Sequence, residues 1–189
     1  SMEDLGALRT PALLLDRAVL KRNVERMAAR ARTHGIGLRP HMKTCKSVDV
    51  ARLATAGQPG GITVSTLAEA DGFVRAGFRD VTYAVGIVPA KLADVAAIQR
   101  RDARVHVLTD DVGVAQAVID SAGALDTTLS LFVEIDTGGG GGGVDPQSPG
   151  PPRIARRGAG AAPRRLPRRF WAGRPAPPRH TPGAPPPPR

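Results

Sequence analysis

Between residues 10 and 136, short apolar runs and amphipathic stretches follow one another repeatedly, and this alternation limits the fold more than any other feature. Residues 12–15, 37–40, 62–64, 81–85, 104–108 and 129–135 read as strands. A helix is expected after Asp16, carrying Val19, Leu20, Val24 and Met27 on one side and ending at Gly35. Further helices are expected over 47–56, over 67–76 with Ser65 or Thr66 as cap and Gly77 as stop, and over 90–101 behind Pro89. A last one runs over 112–122, capped by Asp110 and closed by Gly123. Strand–helix alternation implies an α/β fold with a parallel sheet covered by helices. A barrel and a doubly wound open sheet both satisfy the pattern. Lys43, Ser65, Thr109 and Asp136 stand just past strand ends, where either architecture binds its ligands.

The densest group of reactive side chains is Arg39-Pro40-His41-Met42-Lys43-Thr44-Cys45-Lys46-Ser47. Pro40 biases Arg39 to extended geometry, so the strand should finish there and leave His41 and Lys43 at the mouth of the sheet. Neighbouring positive charge and partial burial would favour a neutral Lys43 amine, the form that attacks a carbonyl. Two lysines in a short loop are equally what an ordinary solvated turn contains. His34 is expected in solvent near a helix end, and His106 to be satisfied within its strand. Cys45 is expected to pack or to support the site from behind. No Cys/His spacing suits a metal.

Three segments together resemble a known family. They are Thr10-Pro11-Ala12-Leu13-Leu14-Leu15-Asp16, Arg39-Pro40-His41-Met42-Lys43-Thr44-Cys45-Lys46 and Ile62-Thr63-Val64-Ser65-Thr66-Leu67-Ala68-Glu69-Ala70. Val88-Pro89-Ala90-Lys91-Leu92 and Val133-Glu134-Ile135-Asp136 follow in the same order. The pattern resembles the D-serine dehydratase and D-threonine aldolase family, with its alanine-racemase-type N-terminal barrel, over about residues 8–146. The resemblance implies a (β/α)8 TIM-type barrel, of which residues 1–143 supply about five of eight units, with residues 12–15 as an extra strand outside it. It implies pyridoxal 5'-phosphate as cofactor, held by Lys43 as a Schiff base; nearness to Lys43 in the sequence makes His41 and Arg39 candidates for further cofactor contacts. The implied activity is that of a lyase on small D-amino acids, with Lys43 moving the Cα proton or helping retro-aldol cleavage. An amino-acid racemase is the alternative, since it shares Cα proton removal. A homodimer is implied for a complete member, and divalent-metal ligands would lie in a C-terminal domain. Cys45 departs from the family's histidine.

The pattern stops at six consecutive glycines, 138–143. Residues 144–189 hold 14 of the 18 prolines and ten arginines against one acid, net +9, whereas residues 1–143 carry 17 basic and 16 acidic side chains, net +1. The formal charge of +10 therefore belongs to the last quarter, which is expected to be disordered. It has three readings: a basic tail gripping nucleic acid, a proline-rich ligand for a recognition module, or a reading-frame slip in a GC-rich gene. The abrupt onset after the glycines favours the slip, and with it a truncated barrel of little or no turnover. A tail-mediated interaction module is the alternative of another class, with nucleic acid the weaker partner because Phe170 and Trp171 are its only aromatics.

A single cysteine excludes an internal disulfide framework and points to a reducing compartment. No apolar run approaches the ~18 residues of a membrane span. The acidic start Ser-Met-Glu-Asp is unlike a secretory signal, so a cytoplasmic location without a membrane partner is expected.

Overall fold

A computed structural model of the chain describes residues 5–136, 142–150, 153 and 171–172. Helices begin where a short polar side chain can take up an otherwise unpaired N–H. Asp16 accepts the Val19 N–H at 2.9 Å and opens α1 (Arg17–Thr33). Ser47 opens α2 (Val48–Thr55), and Thr66 rather than Ser65 opens α3 (Leu67–Arg75). Pro89 leads a 3-10 turn (Pro89–Lys91) into α4 (Leu92–Gln99). Asp111, one residue beyond the expected Asp110, opens α5 (Val112–Ala124). Gly123 lies inside α5 instead of ending it, because its backbone is not left-handed.

Strands β1 (Ile62–Val64), β2 (Asp80–Gly86), β3 (Arg104–Thr109) and β4 (Ser130–Ile135) lie side by side in chain order, every pair parallel. A doubly wound sheet reverses its strand order at the switch point. This one does not, which leaves the barrel-type arrangement. β5 (Trp171–Ala172) adds to the same edge, Trp171 level with Glu134 and Ala172 with Ile135. No strand is expected there from periodicity, since two residues carry no period. Of the tail expected to be disordered, residues 144–150 and 153 are also described, Val144 being bridged to Ile135, and the remainder lies outside the described residues.

Two expected strands differ. Residues 37–40 shrink to a single bridge, His41 level with Thr63. The Thr63 N–H donates to the Pro40 carbonyl at 2.9 Å and the Met42 N–H to the Thr63 carbonyl at 2.8 Å. Pro40 itself has no N–H to extend the ladder. Residues 12–15 form no strand among the described residues: Leu13 is fully exposed, and no described strand lies beside it to take its hydrogen bonds. In α1 the buried positions are Ala28 and Ala31, while Val19 and Met27 of the expected apolar stripe face solvent. Leu20 and Val24 of that stripe are half-buried.

Strand residues alternate between two faces. Ile62, Val81 and Val105 stand level and pack with Phe73 and Val74 of α3 and with Leu92, Val95 and Ile98 of α4. The alternate row, Thr63, Thr82, His106 and Ser130, is also level and buried, but every member is polar. Within it the Thr82 hydroxyl has no hydrogen-bond partner.

Past β4 the chain returns against its own end. The Val144 N–H donates to the Glu134 carbonyl and the Asp136 N–H to the Val144 carbonyl, both at 2.9 Å. This close return needs glycine at 143, where φ is +98° and a Cβ would sit 2.6 Å from the Asp136 nitrogen.

Candidate functional site

The bridge at His41 and Thr63 fixes the level of everything that follows. Lys43 comes two residues later, beside the turn that leaves β1, at the C-terminal end of the sheet. The turn is closed by the Lys46 N–H donating to the Met42 carbonyl at 2.9 Å, and the Lys43 N–H donates to His41 Nδ1 at 3.2 Å. On its other side His41 Nε2 faces Ser65 Oγ at 3.4 Å. Met42 is buried beneath and anchors the turn in the core.

Lys43 is exposed, and no ion pair or side-chain hydrogen bond ties its amine among the described residues. The partial burial expected for it is absent, because the turn lifts it beyond the last paired backbone. Lys46, three residues on, is held: its Nζ lies 3.1 Å from Glu69 Oε1. Glu69 Oε2 also accepts the Ser65 N–H at 2.9 Å, and the Glu69 N–H donates to Thr66 Oγ1 at 3.0 Å. This is a capping-box arrangement at the start of α3. Glu69 thus ties the Lys46 turn to the β1–α3 turn.

Electrostatics follow from these contacts. Burial lowers the pKa of His41 and the Lys43 charge lowers it further, against smaller opposing effects of Glu69 and the Thr63 backbone, so the imidazole is neutral at pH 7. Burial alone would raise Glu69, but the Ser65 N–H and Lys46 carry its carboxyl below the ordinary value. At the end of β4, burial and then the Asp110 charge raise Glu134.

Arg39 does not join this group. It stands two residues before His41, toward the start of the strands, and grips Asp80 with both guanidinium nitrogens at 2.8 and 2.9 Å. Asp80 also accepts from His106 Nε2 at 2.9 Å, and His106 Nδ1 meets Ser130 Oγ at 2.7 Å. An ionised carboxylate only accepts, so Nε2 carries a proton. His106 stacks on Phe132 with centroids 4.8 Å apart. Burial would raise Asp80, yet the hydrogen bonds from His106 and Arg39 outweigh it and hold the carboxyl well below the usual carboxylate range. His106 is satisfied as expected, and His34 is exposed at the end of α1. Cys45 is exposed rather than packed, with only a 3.9 Å contact to the Met42 carbonyl and a 3.8 Å contact to the Met42 sulfur.

Sequence reading missed Glu69 as a working residue, although the Thr66-to-Glu69 spacing of a capping box was there to find. Asp80 and Ser130 carried no signal, because only strand register brings them to Arg39 and His106. No group of three or more His, Cys, Asp or Glu side chains gathers among the described residues. No helix among them is long and apolar enough to cross a membrane.

Known proteins resemble this chain over most of its length. The chain is 40% identical over 144 residues to a D-threo-3-hydroxyaspartate dehydratase of Delftia sp. (strain HT23), covering 76% of this chain and 38% of that one. It is 37% identical over 143 residues to a 3-hydroxy-D-aspartate aldolase of Paracoccus denitrificans, covering 75% and 37%. The solved structure of a D-threonine aldolase from Filomicrobium marinum superposes with a TM-score of 0.74 at 32% identity, covering 89% of this chain and 44% of that one. The chain therefore spans about two fifths of the length of the relatives it matches. The family described as "Alanine racemase, N-terminal domain" matches residues 15–157. With its parallel sheet in chain order and its lysine at the strand ends, the chain belongs to the alanine racemase N-terminal domain family, whose fold is a TIM-type barrel.

Proposed function

We propose that this chain carries the cofactor-binding part of a pyridoxal-phosphate-dependent lyase acting on small D-amino acids, with Lys43 as the residue that bonds the cofactor covalently. The observation that carries the reading is the contrast between two lysines on one turn: Lys46 is paired to Glu69, and Lys43 stands unpaired at the C-terminal end of the sheet. An exposed primary amine there fits the aldehyde of pyridoxal phosphate. The relatives named dehydratase and aldolase support the reaction class. When bound, the cofactor supplies an electron sink for the charge left at Cα.

What the chain's own side chains contribute is positional. Met42 anchors the turn, and its closure by Lys46 N–H fixes where Lys43 emerges. The neutral imidazole of His41, held between the Lys43 N–H and Ser65, offers a hydrogen-bonding surface beside that amine without adding charge. The Lys43 Nζ is the group that would hold and return the Cα proton. Arg39 is committed to Asp80 and serves the sheet rather than the cofactor. The likenesses to alanine racemase, at 16% identity, show the fold alone, so a racemase gains no separate support.

The test is spectroscopic. Wild-type chain mixed with pyridoxal phosphate should develop the yellow absorbance of a protein-bound imine, and Lys43→Ala should not. Equal absorbance in both proteins would defeat the assignment of Lys43. Turnover of D-threonine, D-serine or a D-3-hydroxyaspartate by the wild type would identify the reaction class.

A further inference from the structure

Lys43 and Lys46 lie on one five-residue turn, and both carry primary amines at the mouth of the sheet. Chemically they are the same nucleophile, so something outside the lysines must distinguish them. The visible difference is Glu69. Its side chain is only 10% exposed, and its two carboxylate oxygens are divided between Lys46 Nζ and the Ser65 N–H. Lys46 also adopts a left-handed backbone, φ +46°, which a side-chain-bearing residue enters at a cost.

We propose that Glu69 is a positioning residue that selects Lys43 over Lys46 as the amine open to carbonyl attack. This rests on the assignment of Lys43 above. An amine that attacks a carbonyl must give up its proton and turn its nitrogen lone pair to the carbon. For Lys46 that means leaving a largely buried carboxylate without its cation, which is unfavourable. Lys43 abandons no carboxylate among the described residues. The same carboxylate fixes the geometry, because it joins the turn of residues 42–46 to the turn between β1 and α3. Glu69 therefore acts through Lys46 and has no need to touch the cofactor.

The experiment compares wild type with Glu69→Gln. Glutamine keeps an oxygen for the Ser65 N–H and removes the charge that holds Lys46. Each protein is treated with pyridoxal phosphate and borohydride, and the labelled lysines are mapped by peptide mass spectrometry. The amine nitrogen adds to the aldehyde carbon, water leaves, and hydride reduces the C=N bond, so the label is permanent. In the wild type the label should fall on Lys43. In Glu69→Gln the Lys46-to-Lys43 ratio should rise by about fivefold, as expected for loss of a modest ion pair. Lys21 and Lys91, the other two lysines, should keep their labelling, which a general loosening of the fold would not allow. Glu69→Asp, with an arm too short to hold both partners, should move the ratio in the same direction.

An unchanged ratio with Lys43 still labelled overturns the role of Glu69 and leaves the cofactor assignment standing. Wild-type label spread evenly over the four lysines overturns the cofactor assignment instead. The role of Glu69 is then judged by formaldehyde and cyanoborohydride, which need no cofactor site. A higher Lys46-to-Lys21 methylation ratio in Glu69→Gln supports it, and an equal ratio overturns it.

Discussion

Replacing Arg39 by alanine tests the other half of the molecule, the charged cluster at the start of the strands. Arg39 makes two charge-assisted hydrogen bonds to Asp80, at 2.8 and 2.9 Å, and its side chain is 25% exposed against 37% for Asp80. A fully buried pair broken on one side costs about 3–5 kcal/mol, and a fully exposed pair about 0–1 kcal/mol. Partial exposure and the surviving His106 contact put Arg39→Ala between these limits, at about 2 kcal/mol. For a chain of this size that lowers Tm by roughly 4–8 °C. Lysine cannot reproduce the two-pronged contact, so Arg39→Lys should recover less than half of the loss.

The pH dependence sharpens the test. Asp80 has its folded pKa depressed, so its contribution is present above the unfolded carboxylate value, about 4, and is lost as pH falls toward the depressed folded value. Urea unfolding followed by circular dichroism should show the wild-type advantage over Arg39→Ala at pH 7 and a shrinking advantage below about pH 4. A loss under about 0.5 kcal/mol at pH 7, or a gap that does not narrow in acid, would refute the reasoning.

Other outcomes follow from single contacts. Thr82→Val removes a buried hydroxyl that has no partner, and should stabilise the chain by about 1 kcal/mol in urea unfolding; destabilisation would mean the hydroxyl is satisfied. The NMR titration midpoint of His41 should lie below 6.5 and move upward in Lys43→Met, because the Lys43 charge is one of the groups lowering it. Gly143→Ala places a Cβ against the Asp136 backbone at a left-handed position and should cost about 1–3 kcal/mol, read as faster amide exchange at Asp136 and Val144. An unperturbed exchange rate would show that the return of the chain after β4 is not so tight.

What could be read from the sequence was whatever is written in local periods. The strands at Ile62–Val64 and Arg104–Thr109 and the caps at Asp16 and Ser47 follow from neighbouring residues alone. The position of Lys43 at the strand ends followed from Pro40 and a short motif. Register was not legible, and it is register that carries Arg39 away from His41 and into contact with Asp80 and His106. Burial was misjudged for the same reason. The apolar run at Leu13 to Leu15 looked like a strand because its residues are apolar, yet a strand needs a neighbour and composition cannot supply one. The pairing of Trp171 with Glu134 lies beyond any sequence signal, since proline and arginine surround it.

The most direct measurement of the central claim is the identity of the lysine that bonds pyridoxal phosphate. Borohydride reduction of the loaded wild-type chain, followed by peptide mapping, should place one label per chain on Lys43. A label on Lys21 or Lys91, or none after saturation with cofactor, would contradict the account.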